Sequence, residues 1–208
     1  MTLAPENIHY LSGAVFNLIK ENYKEIHLNC IYEPGWTEEH AKIMYDEMKI
    51  IADYLIDNNL YNKIYISLFD EDVGEPIDEQ DNENNCGGII KNGISSMMAI
   101  NESGNIYPCI RYMDSSLNNK QKPLYYGNVD QGLLTNSTEI YNYNLLNNIT
   151  RRSQSTDECF YCPIAKGCGW CSGFNYEEFG TPNKRTTYIC IMHKARVLAN
   201  VYYWNKLY

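Results

Sequence analysis

Clusters of lysine and arginine are missing from this 208-residue sequence. Its 17 basic residues stand against 26 acidic ones, a formal net charge of −9. A nucleic-acid or anionic-membrane partner is therefore not expected, because phosphate surfaces are gripped by clustered cations. Long apolar runs are also missing, and no stretch reaches the roughly eighteen residues that suggest a membrane span. The opening residues, MTLAPENIHY, lack the basic start and apolar run of an export signal, so the expected location is cytoplasmic. In that reducing setting, eight cysteines point to metal binding or catalysis rather than disulfides. A hydrophobic fraction of 44% suits a globular core. The length suits one medium domain or two small ones.

The first seventy residues alternate helix and strand. Residues 5–21 place Ile8, Leu11, Val15, Leu18 and Ile19 at helical spacing, with Pro5 in the first turn. EIHLNCI (25–31) predicts a strand with Ile26, Leu28 and Cys30 on one face and His27 and Asn29 on the other. Thr37 is placed to cap a long helix whose first turn holds Glu38 and Glu39 and whose buried stripe is Met44, Met48, Ile51 and Leu55. KIYISLF (63–69) is a second strand. Strand–helix–strand order implies parallel strands with crossover helices. Two strands and two helices cannot cover both faces of such a sheet, so this half looks incomplete.

Residues 70–85 carry eight acidic side chains and no basic one, and read as a solvated linker. A cysteine-rich module then runs over 86–192. In it, 94–100 and 105–109 flank a hairpin turn at Asn101–Gly104. A helix is expected around 138–150. A C-terminal helix is expected over 193–208, with Val197, Val201 and Trp204 on its apolar face.

Seven cysteines carry the chemistry. Cys86 stands alone, followed by Gly104-x4-Cys109, then Cys159-x2-Cys162-x5-Cys168-x2-Cys171, then Cys190. Cys-x2-Cys turns bring two sulfurs out of one tight loop, and Gly167 and Gly169 allow close backbone approach. Two such pairs are also the donor set of a tetrahedral zinc site. One zinc would leave three of the seven thiols unexplained, and only five residues separate the two pairs.

The pattern Cys-x(9–15)-Gly-x4-Cys, gap, Cys-x2-Cys-x5-Cys-x3-Cys, gap, Cys belongs to the SPASM domain of radical S-adenosylmethionine enzymes, which this sequence resembles. Seventeen residues, rather than nine to fifteen, separate Cys86 from Gly104. Two, rather than three, separate Cys168 from Cys171. MTLAPENIHYLSGAV and EIHLNCIYEPGWTEEHAKIMYDEM resemble later strands and helices of the radical SAM partial barrel, most like maturases of cysteine-rich and Cys-x3 repeat peptides. The resemblance implies an α/β fold: the C-terminal part of a partial (β/α) barrel over 1–69, then a small cysteine-rich α+β SPASM domain. It also implies two [4Fe-4S] clusters. Cys159, Cys162, Cys168 and Cys190 would hold the one farther from the barrel. Cys86, Cys109 and Cys171 would hold the nearer one, leaving an iron open to a substrate thiolate. Cys30 stays outside the set as a buried thiol.

The Cys-x3-Cys-x2-Cys loop that binds the radical-generating cluster is absent. The resemblance thus implies the C-terminal portion of a peptide-modifying oxidoreductase that acts on a ribosomally made, cysteine-rich precursor and forms thioether or related crosslinks. Its partners would be the precursor peptide, an external electron donor or acceptor, and a missing N-terminal radical SAM half. S-adenosylmethionine would bind only in the complete enzyme, and this chain alone would not cleave it. Two other readings are a stand-alone iron–sulfur electron-transfer or peptide-binding module working with a separate partner, and a zinc-stabilised structural domain. Arg111 and Tyr112 are candidates to tune the cluster beside Cys109, and His193 is a candidate neighbour of Cys190. His27 and Asn29 are candidate cavity residues. Glu38, Glu39 and His40 suggest metal binding, but capping at the helix start explains the acidic pair.

Overall fold

In a computed structural model of the chain, the described residues are 1–81, 86, 90–91, 94–95, 97–133 and 145–208. They form a mixed helix-and-strand fold. In chain order the strands are β1 (Thr2–Leu3), β2 (Glu25–Ile26), β3 (Asn29–Cys30), β4 (Tyr65–Ile66), β5 (Ile90–Lys91) and β6 (Ile94–Ser95). Then come β7 (Ala99–Ile100), β8 (Asn105–Tyr107), β9 (Gly127–Asn128) and β10 (Gly132–Leu133). The longer helices are α1 (Leu11–Lys20), α2 (Glu38–Asp57), α3 (Ser172–Phe179) and α4 (Cys190–Leu207). No helix among the described residues is long and apolar enough to cross a membrane.

Two compact units interleave in sequence. The first is Met1–Ile77 with Tyr161–Gly169 and Thr187–Tyr208, and the second is Asp78–Phe160 with Trp170–Thr186.

In the first unit the 25–31 segment is extended, but it forms two short strands with different partners. β3 runs parallel to β1, with Leu3 opposite Cys30, and β2 runs parallel to β4, with Ile26 opposite Ile66. The predicted alternation holds, since Ile26 and Leu28 are buried while His27 and Asn29 are exposed. The second strand is shorter than expected because the chain turns into a 3-10 turn at Ser67–Phe69. The first helix begins later than predicted. Pro5 lies in a turn, Ile8–Tyr10 form a 3-10 turn, and α1 ends at Lys20, beyond which Asn22 adopts φ +70° and Tyr23 N–H donates to the Leu18 carbonyl.

Thr37 caps α2 as predicted. Its Oγ1 accepts from His40 N–H at 3.4 Å, and its own N–H donates to His40 Nδ1 at 3.2 Å. The predicted α2 stripe is buried, joined by Ala52.

The C-terminal helix differs from the expectation in start and in face. It begins at Cys190, and its buried side is Met192, His193, Ala195, Ala199, Asn200 and Tyr203, whereas Val201 is 53% exposed. Met192, Ala199 and Tyr203 join the core built on α1, α2 and the parallel strands. His193 and Asn200 are inside because backbone carbonyls await them there. Apolar periodicity is blind to that.

In the second unit β7–β10 form an antiparallel sheet in the order β10-β9-β8-β7. The predicted hairpin turn is present. Gly104 adopts φ +76°, and Asn101 Oδ1 accepts from the N–H groups of Ser103 and Asn105. β5 and β6 pair separately. Of the helix expected around 138–150, residues 138–144 lie outside the described residues. Residues 145–147 are helical, and Thr150 then caps a fresh turn, Arg151–Gln154, through reciprocal bonds with Ser153.

The acidic stretch is more than a solvated linker where it is described. Lys166 meets Asp72 at 2.8 Å and Glu75 at 3.1 Å, and its N–H donates to the Glu75 carbonyl. Farther along, the buried Arg151 guanidinium donates to the carbonyls of Asp78, Asp81 and Phe160. There it is the backbone rather than the carboxylates that holds the cation. Residues 82–85 lie outside the described residues.

Candidate metal centre

Cys86, Cys109 and Cys171 lie far apart in sequence, and the second unit brings them together. Cys109 precedes the 3-10 turn Ile110–Tyr112 and is buried at 7% exposure. Cys171 is the N-cap of α3, where its Sγ accepts from Phe174 N–H at 3.4 Å. Cys86 Sγ stands 3.1 Å from Ser172 Oγ and packs on the apolar cluster that includes Cys109 and Tyr112. Cys109 feels the charge of Cys171 and Cys86, and Cys171 that of Cys86.

Amides are directed at the sulfurs. Phe174 N–H donates to Cys171 Sγ, with Gly173 N–H near the same sulfur, and Arg111 N–H lies near the Cys109 sulfur, while Tyr112 N–H donates to the Cys109 carbonyl at 3.1 Å. α3 can start this close because Gly173 has no side chain. A Cβ there would collide with the Cβ of Arg111.

Burial nonetheless dominates the acidity of these thiols. It pushes Cys109 up to about 11 and raises Cys171, although backbone donors to both, and Arg111 beside Cys171, pull the other way. Arg111 also reaches Glu177 at 3.8 Å, a carboxylate that is 3% exposed and further held by Asn118 at 2.9 Å.

Tyr112 closes the site. It is 0% exposed, beside all three thiols, and its hydroxyl has no hydrogen-bond partner among the described residues. Ser172 Oγ lies nearby but is engaged with Cys86, and the geometry closes no hydrogen bond to the phenol.

The other predicted ligands are distributed differently. Cys159 sits in a single helical turn, Asp157–Phe160, in the second unit. Cys162, Cys168 and Cys190 belong to the first unit. The Cys162–Cys168 loop is held by its backbone. His193 Nε2 meets the Ile164 carbonyl at 2.5 Å, and Arg196 Nη1 donates to the Gly167 carbonyl at 3.1 Å. Arg196 also donates to the carbonyls of Leu68 and Ser67, and Asn200 donates to Leu68 at 2.6 Å. Gly167 adopts φ +79°. Gly169 does not need a positive φ, but an added Cβ would press on Ile189 and Tyr32 at 3.4 Å.

Cys190 is exposed in the first turn of α4. Cys30 lines a cavity of about 60 Å3 with Arg196, His193 and Gly167, and burial pushes its thiol up to about 12. His27 is exposed and bonds Glu25 at 2.7 Å, while Asn29 reaches the rim of the Cys30 cavity.

No disulfide is formed, and among the described residues no group of three or more His, Cys, Asp or Glu side chains is poised to hold a metal ion. A mononuclear site needs sulfurs crowded about 2.3 Å from one ion. A polynuclear iron–sulfur group spreads its thiolates over several irons. Three neighbouring thiols, amides aimed at sulfur and a buried hydroxyl lacking a partner fit the second demand in their donor chemistry.

The residues that sequence reasoning did not single out are Ser172, Gly173, Lys166 and Arg196. Only the small residues following Cys171 carried a local signal, that of a helix start. Comparison with family models and with curated proteins gives no match for this chain.

Proposed function

We propose that this chain is the auxiliary iron–sulfur portion of a radical S-adenosylmethionine enzyme that modifies a cysteine-rich peptide. In this reading it is a (β/α) partial-barrel remnant joined to a SPASM-like module. The observation that supports it most is the meeting of Cys86, Cys109 and Cys171 around Tyr112. A lone buried thiol can serve as a small apolar side chain, but the convergence of three from distant segments favours a shared ligand.

Two [4Fe-4S] groups would be held by Cys86, Cys109 and Cys171, and by Cys159, Cys162, Cys168 and Cys190. When bound they supply one-electron chemistry and, at the three-thiol centre, a coordination position not filled by the module. The chain's own residues do the rest. Backbone amides at Cys109 and Cys171 offset charge on the sulfurs, and Arg111 adds a cation. Leu117, Leu124 and Leu146 keep water from the buried side of the pocket. His193 and Arg196 fix the Cys162–Cys168 loop against α4.

The sequence holds no Cys-x3-Cys-x2-Cys loop. Radical generation would therefore fall to a part of the enzyme outside these residues, and the purified chain is expected to form no 5′-deoxyadenosine from S-adenosylmethionine. The test is anaerobic reconstitution followed by visible and electron paramagnetic resonance spectra. Broad charge-transfer absorption and a reduced-cluster signal support the proposal. A colourless protein that binds zinc in their place would make this a zinc-stabilised domain.

A further inference from the structure

Among the described residues of the second unit, three buried side-chain groups lack a hydrogen-bond partner, Tyr112 Oη, Gln154 Oε1 and Ser155 Oγ, and of these Tyr112 is the one that packs in the cluster holding Cys86 and Cys109. Its ring is packed by Leu117, Leu124, Leu146 and Tyr176, with the Tyr176 ring 5.9 Å away. Phenylalanine would fill that space equally well. The hydroxyl therefore adds nothing to the packing, and without a partner it costs stability. It nevertheless shares its packed cluster with Cys86 and Cys109, and the neighbouring Ser172 hydroxyl is engaged with Cys86. Tyr107 makes the contrast within the same unit. It is also buried, at 1%, but its hydroxyl accepts from Asn101 at 3.1 Å.

We propose that Tyr112 is a positioning residue whose hydroxyl donates a hydrogen bond to a sulfur of the group held by Cys86, Cys109 and Cys171, and so raises that centre's reduction potential. The inference rests on the iron–sulfur reading. A phenol carries its proton at neutral pH, which makes it a donor rather than a ligand. Hydrogen bonds to cluster sulfurs favour the more negative, reduced state, and they are one of the means by which a protein sets the potential.

The test is a potentiometric titration of the reconstituted full chain, followed by electron paramagnetic resonance, for wild type, Tyr112→Phe and Tyr107→Phe. Tyr112→Phe is expected to shift one of two potentials to more negative values and leave the other in place. Tyr107→Phe is expected to move neither. The metal-free Tyr112→Phe protein is expected to melt at the same temperature as wild type or higher, because an unsatisfied buried hydroxyl has been removed. That combination of signs is not produced by a residue whose role is only structural. Unchanged potentials in Tyr112→Phe overturn the proposal. So does a lowered melting temperature of its metal-free form, since the hydroxyl would then already have a structural partner. Wild-type protein that takes up no iron overturns the iron–sulfur reading first and this inference with it, so the two failures are distinguishable.

Discussion

The two units treat their cysteines in opposite ways. In the first, the side chains of α4 grip the backbone carbonyls of the Cys162–Cys168 loop, and Cys190 stays exposed. In the second, backbone amides lie near the sulfurs of Cys109 and Cys171, and Cys86 and Cys109 sit in a small apolar core. The first arrangement fixes where a loop is. The second fixes the electrostatic surroundings of the sulfur atoms. Two centres built this way should differ in potential and in pH response even with identical inorganic contents.

The largest expected effect comes from removing one ligand from each side. Cys109→Ser and Cys162→Ser should each lower the bound iron by about half, from about eight to about four per chain. Iron analysis checks this, and loss of all iron from either variant would mean the centres are not independent. Next is Arg196→Ala. Its guanidinium, 17% exposed, serves the carbonyls of Ser67, Leu68 and Gly167. Its loss should lower the unfolding free energy by about 3 kcal/mol, measured by urea denaturation. Arg151→Ala, which frees the carbonyls of Asp78, Asp81 and Phe160, should cost a similar amount in the second unit.

How far the sequence alone reached depends on whether the cause is local. The α2 stripe, the Thr37 cap, the 25–31 alternation and the Asn101–Gly104 turn all follow from neighbouring residues, and each is present. The face of α4 was not legible, because His193 and Asn200 are buried to meet carbonyls 29 and 132 residues away. The acidic stretch was read as solvated because its partners, Lys166 and Arg151, are equally remote. At the candidate site the cysteine spacing marked the ligands, and Tyr112 was visible as a neighbour of Cys109. Neither pattern nor spacing disclosed that its hydroxyl lacks a partner, which is a property of the packed core.

A smaller effect of pH is shared by both units. Cys109 holds its proton up to about 11 and Cys30 up to about 12, against an ordinary value of 9.0. In metal-free protein the unfolded chain loses these protons first. Stability from this source is therefore intact below pH 9 and falls as pH rises through 9 towards 11–12. Urea midpoints at about pH 8 and about pH 10.5 should show the drop. Cys109→Ser should reduce it. Loading releases the Cys109 proton, so metal affinity should rise with pH as that thiol ionises. Smallest is Thr37→Ala, expected to cost about 1 kcal/mol through the lost cap, with no change in iron content.

The most direct test of the account counts iron and acid-labile sulfide in the anaerobically reconstituted chain. About eight of each per chain is the predicted result. One zinc, with neither iron nor sulfide retained, would contradict it.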